Sequence, residues 1–187
     1  PNWRWWTVAP ALPALLLILG GLIFPVAGAY SKTDGFAADR PTFDATDYVS
    51  RFRPNEAAAG QWVQEHVPPG TRVLEGKGSS YQADTNRIST MTGRPTLLGW
   101  AGHESQWRGQ AYGEMAQGRS EALEIIYRTG TPAEIAAALA AWEIDYVYVG
   151  PSERTQYGPQ ADGAERFEMV LDLVFEAGDV RIYRRRG

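Results

Sequence analysis

The chain contains no cysteine, and only two of its 187 residues are histidine. Without thiols it can form neither a disulfide, nor a thiolate metal site, nor a cysteine nucleophile, and the redox compartment stays open. His66 and His103 have no fixed ligand spacing between them. The sequence therefore predicts no metal site built on histidine, and no Ser-His-Asp arrangement can be read from the spacing.

Basic surface is also scarce. The 18 Lys and Arg residues are outnumbered by 22 Asp and Glu, which gives a formal net charge of −4. The one basic cluster, Arg184 to Arg186, is interpreted as a solvated tail. A broad phosphate-neutralising surface is absent, so nucleic acid is excluded as a partner.

Charged side chains are missing altogether between Arg4 and Lys32. A helix over these 27 residues would be longer than the hydrocarbon layer of roughly 30 Å is thick. The segment predicts one transmembrane helix in a lipid bilayer. Aromatic rings at both of its ends suit the headgroup level of the bilayer: Trp3, Trp5, Trp6 and Tyr30. A cleaved signal peptide, with small residues at Ala27 to Ala29, and a soluble core helix are the alternatives.

The composition of this segment indicates neighbouring transmembrane helices. Pro10, Pro13 and Pro25 would free backbone carbonyls that other helices can satisfy, and Gly20-Gly21 permits close backbone approach. Such partners would belong to the same protein or to a membrane complex. Arg4 and Lys32 balance, so the positive-inside rule does not orient the span.

The remainder is long enough for one globular domain. We expect a transmembrane helix over residues 1–31, a connector over 32–54 and an α/β domain over 55–187. Because the chain begins with Pro1, we expect a processed product or a piece of a longer protein.

The domain pattern alternates helices with short strands and ends in an antiparallel hairpin, which predicts an α/β fold with a mixed sheet covered by helices. A capping box at Thr131 and Glu134 marks the clearest helix start. The other predicted helices begin near Asn55, Ser120 and Gly163. Strands are predicted at 71–75, 95–98, 145–149, 173–176 and 180–184.

Two stretches predicted to be irregular carry the candidate chemistry. Residues 76–87 follow a strand and are rich in glycine and hydroxyls, at a position where open α/β sheets bind ligands, but they lack the pattern of a phosphate loop. Residues 99–109 combine two indoles, an imidazole, a carboxylate and a guanidinium. The candidate ligand-binding residues are Tyr81, Trp100, His103, Glu104, Trp107 and Arg108.

For residues 99–109 there are two alternatives to ligand contact. The tryptophans can plug the base of the domain while Glu104 and Arg108 pair at helical spacing, or the stretch can contact the membrane surface. A magnesium or manganese ligand among the acids of the connector is a further alternative; these are Asp34, Asp39, Asp44 and Asp47. No catalytic residue is assigned.

The same blocks resemble the C-terminal end of the YYY family, multi-pass membrane proteins of unknown function from archaea and Chloroflexi. The resemblance covers roughly Pro41 to Tyr157 and departs at Ala45, where the family has glycine. It is carried by Arg87-Ile88-Ser89-Thr90, by Thr92 to Trp100, by His103-Glu104 with Gln106 to Gly109, and by Tyr146 to Gly150 with Glu153-Arg154 and Tyr157. Pro41-Thr42-Phe43-Asp44 and Tyr48 resemble its upstream element.

The resemblance implies a polytopic protein akin to the GT-C glycosyltransferases, which take sugars from lipid-phosphate donors outside the membrane. It places the domain on the extracytoplasmic side of the cell membrane and makes a polyprenyl-phosphate sugar a partner. The acids that bind a divalent metal in such enzymes lie in loops between early spans, so these residues alone are not expected to catalyse. The alternative hypothesis is a non-catalytic, single-span subunit of a larger membrane complex.

Overall fold

The computed structural model describes residues 9–37, 42–44 and 46–187. The chain divides into two compact units, Pro1–Ala45 and Thr46–Gly187. Trp3, Trp5, Trp6, Asp39 and the family-like Pro41 and Ala45 lie outside the described residues.

The first unit contains helix α1, Ala11–Lys32. It is the one helix in the described ranges that is long and apolar enough to cross a membrane, and none of its side chains is buried in the protein. After α1 the chain turns back, with Gly35 N donating to Tyr30 O at 2.8 Å, and Phe36 packs edge-on against Tyr30.

The second unit is an α/β domain. Its helices are α2 (Asp47–Phe52), α3 (Pro54–His66), α4 (Arg87–Thr92), α5 (Ala101–Arg108), α6 (Ala111–Ala116), α7 (Arg119–Glu124), α8 (Pro132–Ala141), α9 (Pro151–Tyr157) and α10 (Ala164–Glu168). A π turn, Ile125–Thr129, extends α7, and a 3-10 turn, Pro159–Asp162, follows α9. Its strands are β1 (Val73–Leu74), β2 (Tyr146–Val149), β3 (Leu171–Ala177) and β4 (Val180–Arg185).

The four strands form a mixed sheet in the order β1-β2-β4-β3. β1 and β2 are parallel with Val73 opposite Tyr146, whereas β4 runs antiparallel to both β2 and β3. The parallel pair brings the carboxyl ends of β1 and β2 to the same edge. The fold class is therefore the α/β architecture with a mixed sheet and C-terminal hairpin that the sequence predicts.

Alternating side chains of the strands bury both faces of the sheet. Leu74, Val147 and Tyr183 join the core formed with α7 to α10, while Val73, Tyr148 and Ile182 pack beneath α3. This is the period-two alternation expected of a sheet covered by helices on both sides.

The capping box is confirmed at the start of α8. Thr131 Oγ1 accepts from Glu134 N at 3.3 Å, and Glu134 Oε2 accepts from Thr131 N at 2.8 Å. Pro132 occupies the first helical position, where its missing N–H has no cost.

Two local predictions are wrong. Residues 95–98 form no strand, although Pro95 O accepts from Val73 N at 3.0 Å and the segment lies beside β1. Residues 99–109 are not irregular, because eight of them form α5. In addition, the segment expected to be connector contains α2, whose Val49 is buried.

Candidate functional site

A cleft of about 980 Å³ lies where the segments that follow β1 and β2 meet. One side is the loop 76–86, and the other sides are the first turns of α9 and α5. The lining residues are Arg53, Glu56, Lys77, Gly78, Ser79, Ser80, Gln82, Asp84, Thr85, Ala101, Gly102, Pro151, Ser152, Thr155 and Gln156.

The lining combines polar side chains with an exposed surface that is mostly carbon. Seven of its fifteen residues carry a hydroxyl or an amide side chain, and the two cations Arg53 and Lys77 are matched by Glu56 and Asp84. No aromatic ring is among these lining residues. Such a surface offers many neutral hydrogen-bond donors and acceptors, which suits a polyhydroxylated ligand better than a strongly charged one.

The loop that forms one side of the cleft is shaped by its own hydrogen bonds. Gln82 Oε1 accepts from Ser79 N at 3.1 Å, and Tyr81 at the loop tip has a left-handed φ of 64°. Gly78 passes so close to its neighbours that an added Cβ would lie 2.1 Å from Thr85 Oγ1 and 2.5 Å from Trp100 Cδ1. Glycine is required there by space.

Three of the predicted ligand-binding residues form an aromatic cluster next to the cleft. The imidazole of His103 lies between the rings of Tyr81 and Trp100, with centroid separations of 4.6 and 5.3 Å. Trp100 Nε1 donates to Thr85 Oγ1 at 3.1 Å, which joins the cluster to the loop. His103 Nδ1 is buried and has no hydrogen-bond partner among the described residues.

The other three predicted residues project from the far part of α5. Glu104 and Arg108 form an ion pair four positions apart, as the structural alternative predicts. Trp107 is 84% exposed. None of the six predicted residues is among those that line the cleft, and the structure brings together only Tyr81, Trp100 and His103.

Glu153 joins the two strand ends behind the cleft. Its Oε1 accepts from Gly76 N at 3.0 Å and its Oε2 accepts from Gly150 N at 2.9 Å. Burial raises the pKa of this carboxyl, and the two amide hydrogen bonds oppose that effect.

Glu75 plays a similar part at the end of β1. Its carboxylate accepts from Ile88 N at 2.7 Å and from Ser89 N at 2.8 Å, so it caps the first turn of α4 from another element. Burial, and after it the charge of Glu153, raise its pKa from 4.5 to about 7. At neutral pH this carboxyl is therefore partly protonated.

A third buried carboxylate, Glu56, pairs with the guanidinium of Arg87. Arg87 Nη1 also donates to Tyr48 Oη at 3.1 Å, so the pair holds α2, α3 and α4 together. Burial raises the pKa of Glu56, while the charge of Arg87 lowers it. Because Glu56 also lines the cleft, this group connects the buried acids with its surface.

Asn86 connects the two candidate stretches. Its Nδ2 donates to Gly76 O at 3.3 Å and to Leu98 O at 3.1 Å, from a left-handed backbone conformation. Asparagine tolerates that conformation better than most residues. The loop after β1 and the segment before α5 are thereby held at a fixed separation.

The sequence interpretation missed these buried glutamates and Asn86. A signal existed for Glu153, because Gly150-Pro151-x-Glu153 repeats the proline and glutamate spacing recognised at Thr131. No comparable signal marks Glu75, whose partners are fixed only by the tertiary fold.

Within the described residues, no group of three or more His, Asp or Glu side chains is placed to hold a metal ion.

No protein-family model matches this chain, and the search of curated proteins also returns no match. The function is therefore inferred from the cleft, the apolar helix and the quoted sequence resemblance.

Proposed function

We propose that this chain is the terminal span and extracytoplasmic α/β domain of a GT-C-like membrane glycosyltransferase. The cleft at the ends of β1 and β2 would contact sugar hydroxyls of the polyprenyl-phosphate donor or of the acceptor. The observation that carries the proposal is the position and lining of this cleft. Ligands of open α/β sheets bind at this edge.

The size and chemistry of the cleft support a carbohydrate. Its volume of about 980 Å³ falls within the range of roughly 300–1,000 Å³ that is typical of small-molecule sites. Ser79 and Gln156 present side chains able to donate hydrogen bonds to sugar hydroxyls and to accept from them. Thr155 Oγ1 donates to Pro151 O at 2.9 Å and can still accept. The charges of the lining cancel, which suits a neutral sugar ring.

The apolar helix supports a lipid-borne substrate. α1 exposes leucine, isoleucine and valine side chains along its whole length, as a span in hydrocarbon requires. A domain tethered in this way stays within reach of substrates that are themselves held in the bilayer. The chain supplies binding in this proposal, and the resemblance assigns the catalytic acids to loops between earlier spans.

The test fills the cleft without touching the core. Thr155 is exposed on α9 and lines the cleft, so Thr155→Trp would place an indole in the ligand volume. In cells whose own copy of the gene is deleted and replaced by the full-length variant, we expect a loss of roughly ten-fold or more in glycan or glycolipid product, measured by mass spectrometry.

Glu168→Trp is the matched control, because Glu168 is exposed on α10 and does not line the cleft. Its product level should equal that of the natural sequence. A Thr155→Trp protein that melts normally and still makes full product would overturn the proposed role of the cleft.

A non-catalytic, single-span subunit is the second candidate, and the 84% exposed indole of Trp107 favours it. Exposed tryptophans are frequent anchors of protein interfaces. Trp107→Ala combined with Arg108→Ala would then weaken assembly of a membrane complex. Glycan profiles would not change, because this chain would not catalyse glycan synthesis. The reading frame upstream of Pro1 separates the candidates: many preceding spans favour the transferase, and an adjacent initiator methionine favours the subunit.

A further inference from the structure

Lysine is rare in this chain, and one of its two lysines lies in the cleft. The two are Lys32 and Lys77, and the other sixteen basic residues are arginine. Lys32 ends α1, whereas Lys77 lies three positions after β1 and lines the cleft. Residues 46–187 thus contain a single lysine, and the cleft holds it.

The backbone of Lys77 is held on both sides. Before it, Gly76 N donates to Glu153 Oε1 at 3.0 Å, and Gly76 O accepts from Asn86 Nδ2 at 3.3 Å. After it, Gly78 packs so closely against its neighbours that no Cβ fits. The point from which the side chain of Lys77 extends is therefore fixed before a ligand arrives, which lowers the entropy cost of binding.

The ammonium group of Lys77 is half-buried and has no ion pair or hydrogen bond within the part of the chain that the structure describes. The acids of the lining do not compensate it. Glu56 is paired with Arg87 and lies 3.9 Å from Arg53, while Asp84 is exposed. An ammonium that has lost part of its hydration without a counter-charge attracts an anion.

Free hydrogen-bond donors follow Lys77 in the sequence. The side chains of Ser79 and Ser80 line the cleft, and their hydroxyls donate to no acceptor among the described residues. The backbone N–H groups of Gly78 and Ser80 also find no acceptor there. Residues 77–80, here called the donor segment, therefore combine one positive charge with several unused donors and contain no acid.

The kind of donor favours a phosphoryl group over a carboxylate. A planar carboxylate is matched by the fork of arginine, which this chain uses elsewhere, as where Arg185 Nη2 lies 3.0 Å from Asp145 Oδ1. A phosphoryl group presents its oxygens in a tetrahedral arrangement. A compact ammonium, single hydroxyls and backbone amides can reach such oxygens from different directions.

We propose that the donor segment binds a phosphoryl group of the ligand in the cleft, with the Lys77 ammonium as its counter-charge. The inference rests on the proposed function for the source of that group, because a polyprenyl-phosphate sugar carries a phosphoryl group next to a neutral ring. The two parts of such a donor then have two parts of one lining: the donor segment for the phosphoryl group, and Thr155 and Gln156 on α9 for sugar hydroxyls.

The scarcity of lysine makes a chemical test clean. The 187-residue chain in dodecyl maltoside is treated with a limiting amount of an acetylating reagent, and acetylation of Lys77 relative to Lys32 is measured by peptide mass spectrometry. Lys32 is the internal reference, because it belongs to the other compact unit. We expect saturating farnesyl phosphate to lower this ratio by roughly three-fold or more. Farnesol, which lacks the phosphoryl group, should leave it unchanged.

Binding of farnesyl phosphate to variants is measured by phosphorus NMR. Lys77→Met keeps most of the apolar stem and removes the charge, so its apparent Kd should rise by roughly ten-fold or more. Lys77→Arg should recover part of the affinity, because the charge remains and the donor geometry changes. Arg128→Met removes a charge from an exposed position outside the cleft and should bind like the natural chain. Circular dichroism checks that each variant folds.

The inference would be overturned by a Lys77 acetylation that farnesyl phosphate does not change, or that potassium chloride of equal ionic strength lowers as much. A folded Lys77→Met chain with the natural affinity would overturn it too. Inorganic phosphate should protect Lys77 only at higher concentration, and equal potency of the two probes would refute a lipid-borne source. Failure of the Thr155→Trp experiment would leave all these measurements unaffected, so the two proposals fail separately.

Discussion

At the scale of single residues, the cleft rests on three buried glutamates. Glu75 and Glu153 accept hydrogen bonds from backbone amides, while Glu56 pairs with Arg87. Burial is the largest cause acting on each of the three, and it raises the pKa of all of them. Protonation of this cluster thus becomes part of the stability of the domain.

The first prediction concerns pH. Glu75 has a pKa of about 7 when folded and 4.5 as the reference value, so the folded chain holds a proton that the unfolded chain has released between these values. The free energy of unfolding of the domain should therefore fall as the pH rises from 4.5 to 7, by on the order of 2–3 kcal/mol. Urea unfolding in detergent, followed by tryptophan fluorescence at several pH values, measures this slope.

Glu75→Gln should flatten the slope. It should also lower stability at every pH, because one side-chain oxygen cannot accept from both Ile88 N and Ser89 N. Glu168→Gln, at an exposed position, should keep the natural slope. Identical slopes in the natural chain and Glu75→Gln would show that Glu75 does not titrate in this range.

At the scale of elements, sequence periodicity was sufficient where local signals agree with tertiary contacts. The strands at Tyr146–Val149 and Val180–Arg185 and the capped helix α8 fall where β-branched runs and the Thr131 box predict them. These elements combine strong intrinsic propensity with a buried face.

α5 escaped prediction because its stabilising contacts are not local. It begins without a side-chain cap and contains Gly102, and both features are unfavourable signals for a helix. Its His103 packs between Tyr81 and Trp100, and these contacts depend on the loop after β1. At residues 95–98 a strand was predicted and none formed. Pro95 accepts a hydrogen bond from β1 but has no N–H with which to continue a ladder.

The second prediction tests the close approach of that loop. Gly78→Ala would force Thr85 and Trp100 to move, since an added Cβ lies under 3 Å from both. We expect a loss of about 1–3 kcal/mol in the free energy of unfolding, with a change in tryptophan emission.

Gly113→Ala is the control, because nothing lies within 4 Å of an added Cβ there and the residue is inside α6. It should be neutral or gain up to about 1 kcal/mol from helix propensity. If Gly78→Ala were as stable as Gly113→Ala, the packing of the loop against Trp100 would not be a constraint.

At the scale of the whole molecule, the two compact units differ in how far their apolar side chains are exposed. The first unit leaves its leucine and isoleucine side chains exposed, whereas the second buries valine, leucine and isoleucine on both faces of a sheet. The composition of the chain predicts this contrast, because a long uncharged segment precedes a domain of ordinary patterning. Composition could not predict the cleft, because its lining residues are spread between positions 53 and 156. They are brought together only when β1 and β2 pair in the sheet.

The third prediction addresses membrane attachment. The 187-residue chain expressed in cells should remain in the membrane fraction after carbonate extraction. Leu19→Arg combined with Ile23→Arg adds two charges to α1, at about 2.5–3.5 kcal/mol each, and should release most of the chain into the extract. Leu19→Ala combined with Ile23→Ala should stay with the membrane. Extraction of the natural chain itself would contradict a span.

The double hydrogen bond of Glu153 makes one wall of the cleft rigid. Separating Gly76 from Gly150 would leave two backbone amides and a carboxylate buried without hydrogen-bond partners, at a cost of several kcal/mol. The tip of the opposite wall is free of that restraint, because Ser79, Tyr81 and Gln82 already face solvent. In the proposed function, a ligand would therefore meet one fixed wall, and any local adjustment of the site would fall to the loop tip that carries Tyr81.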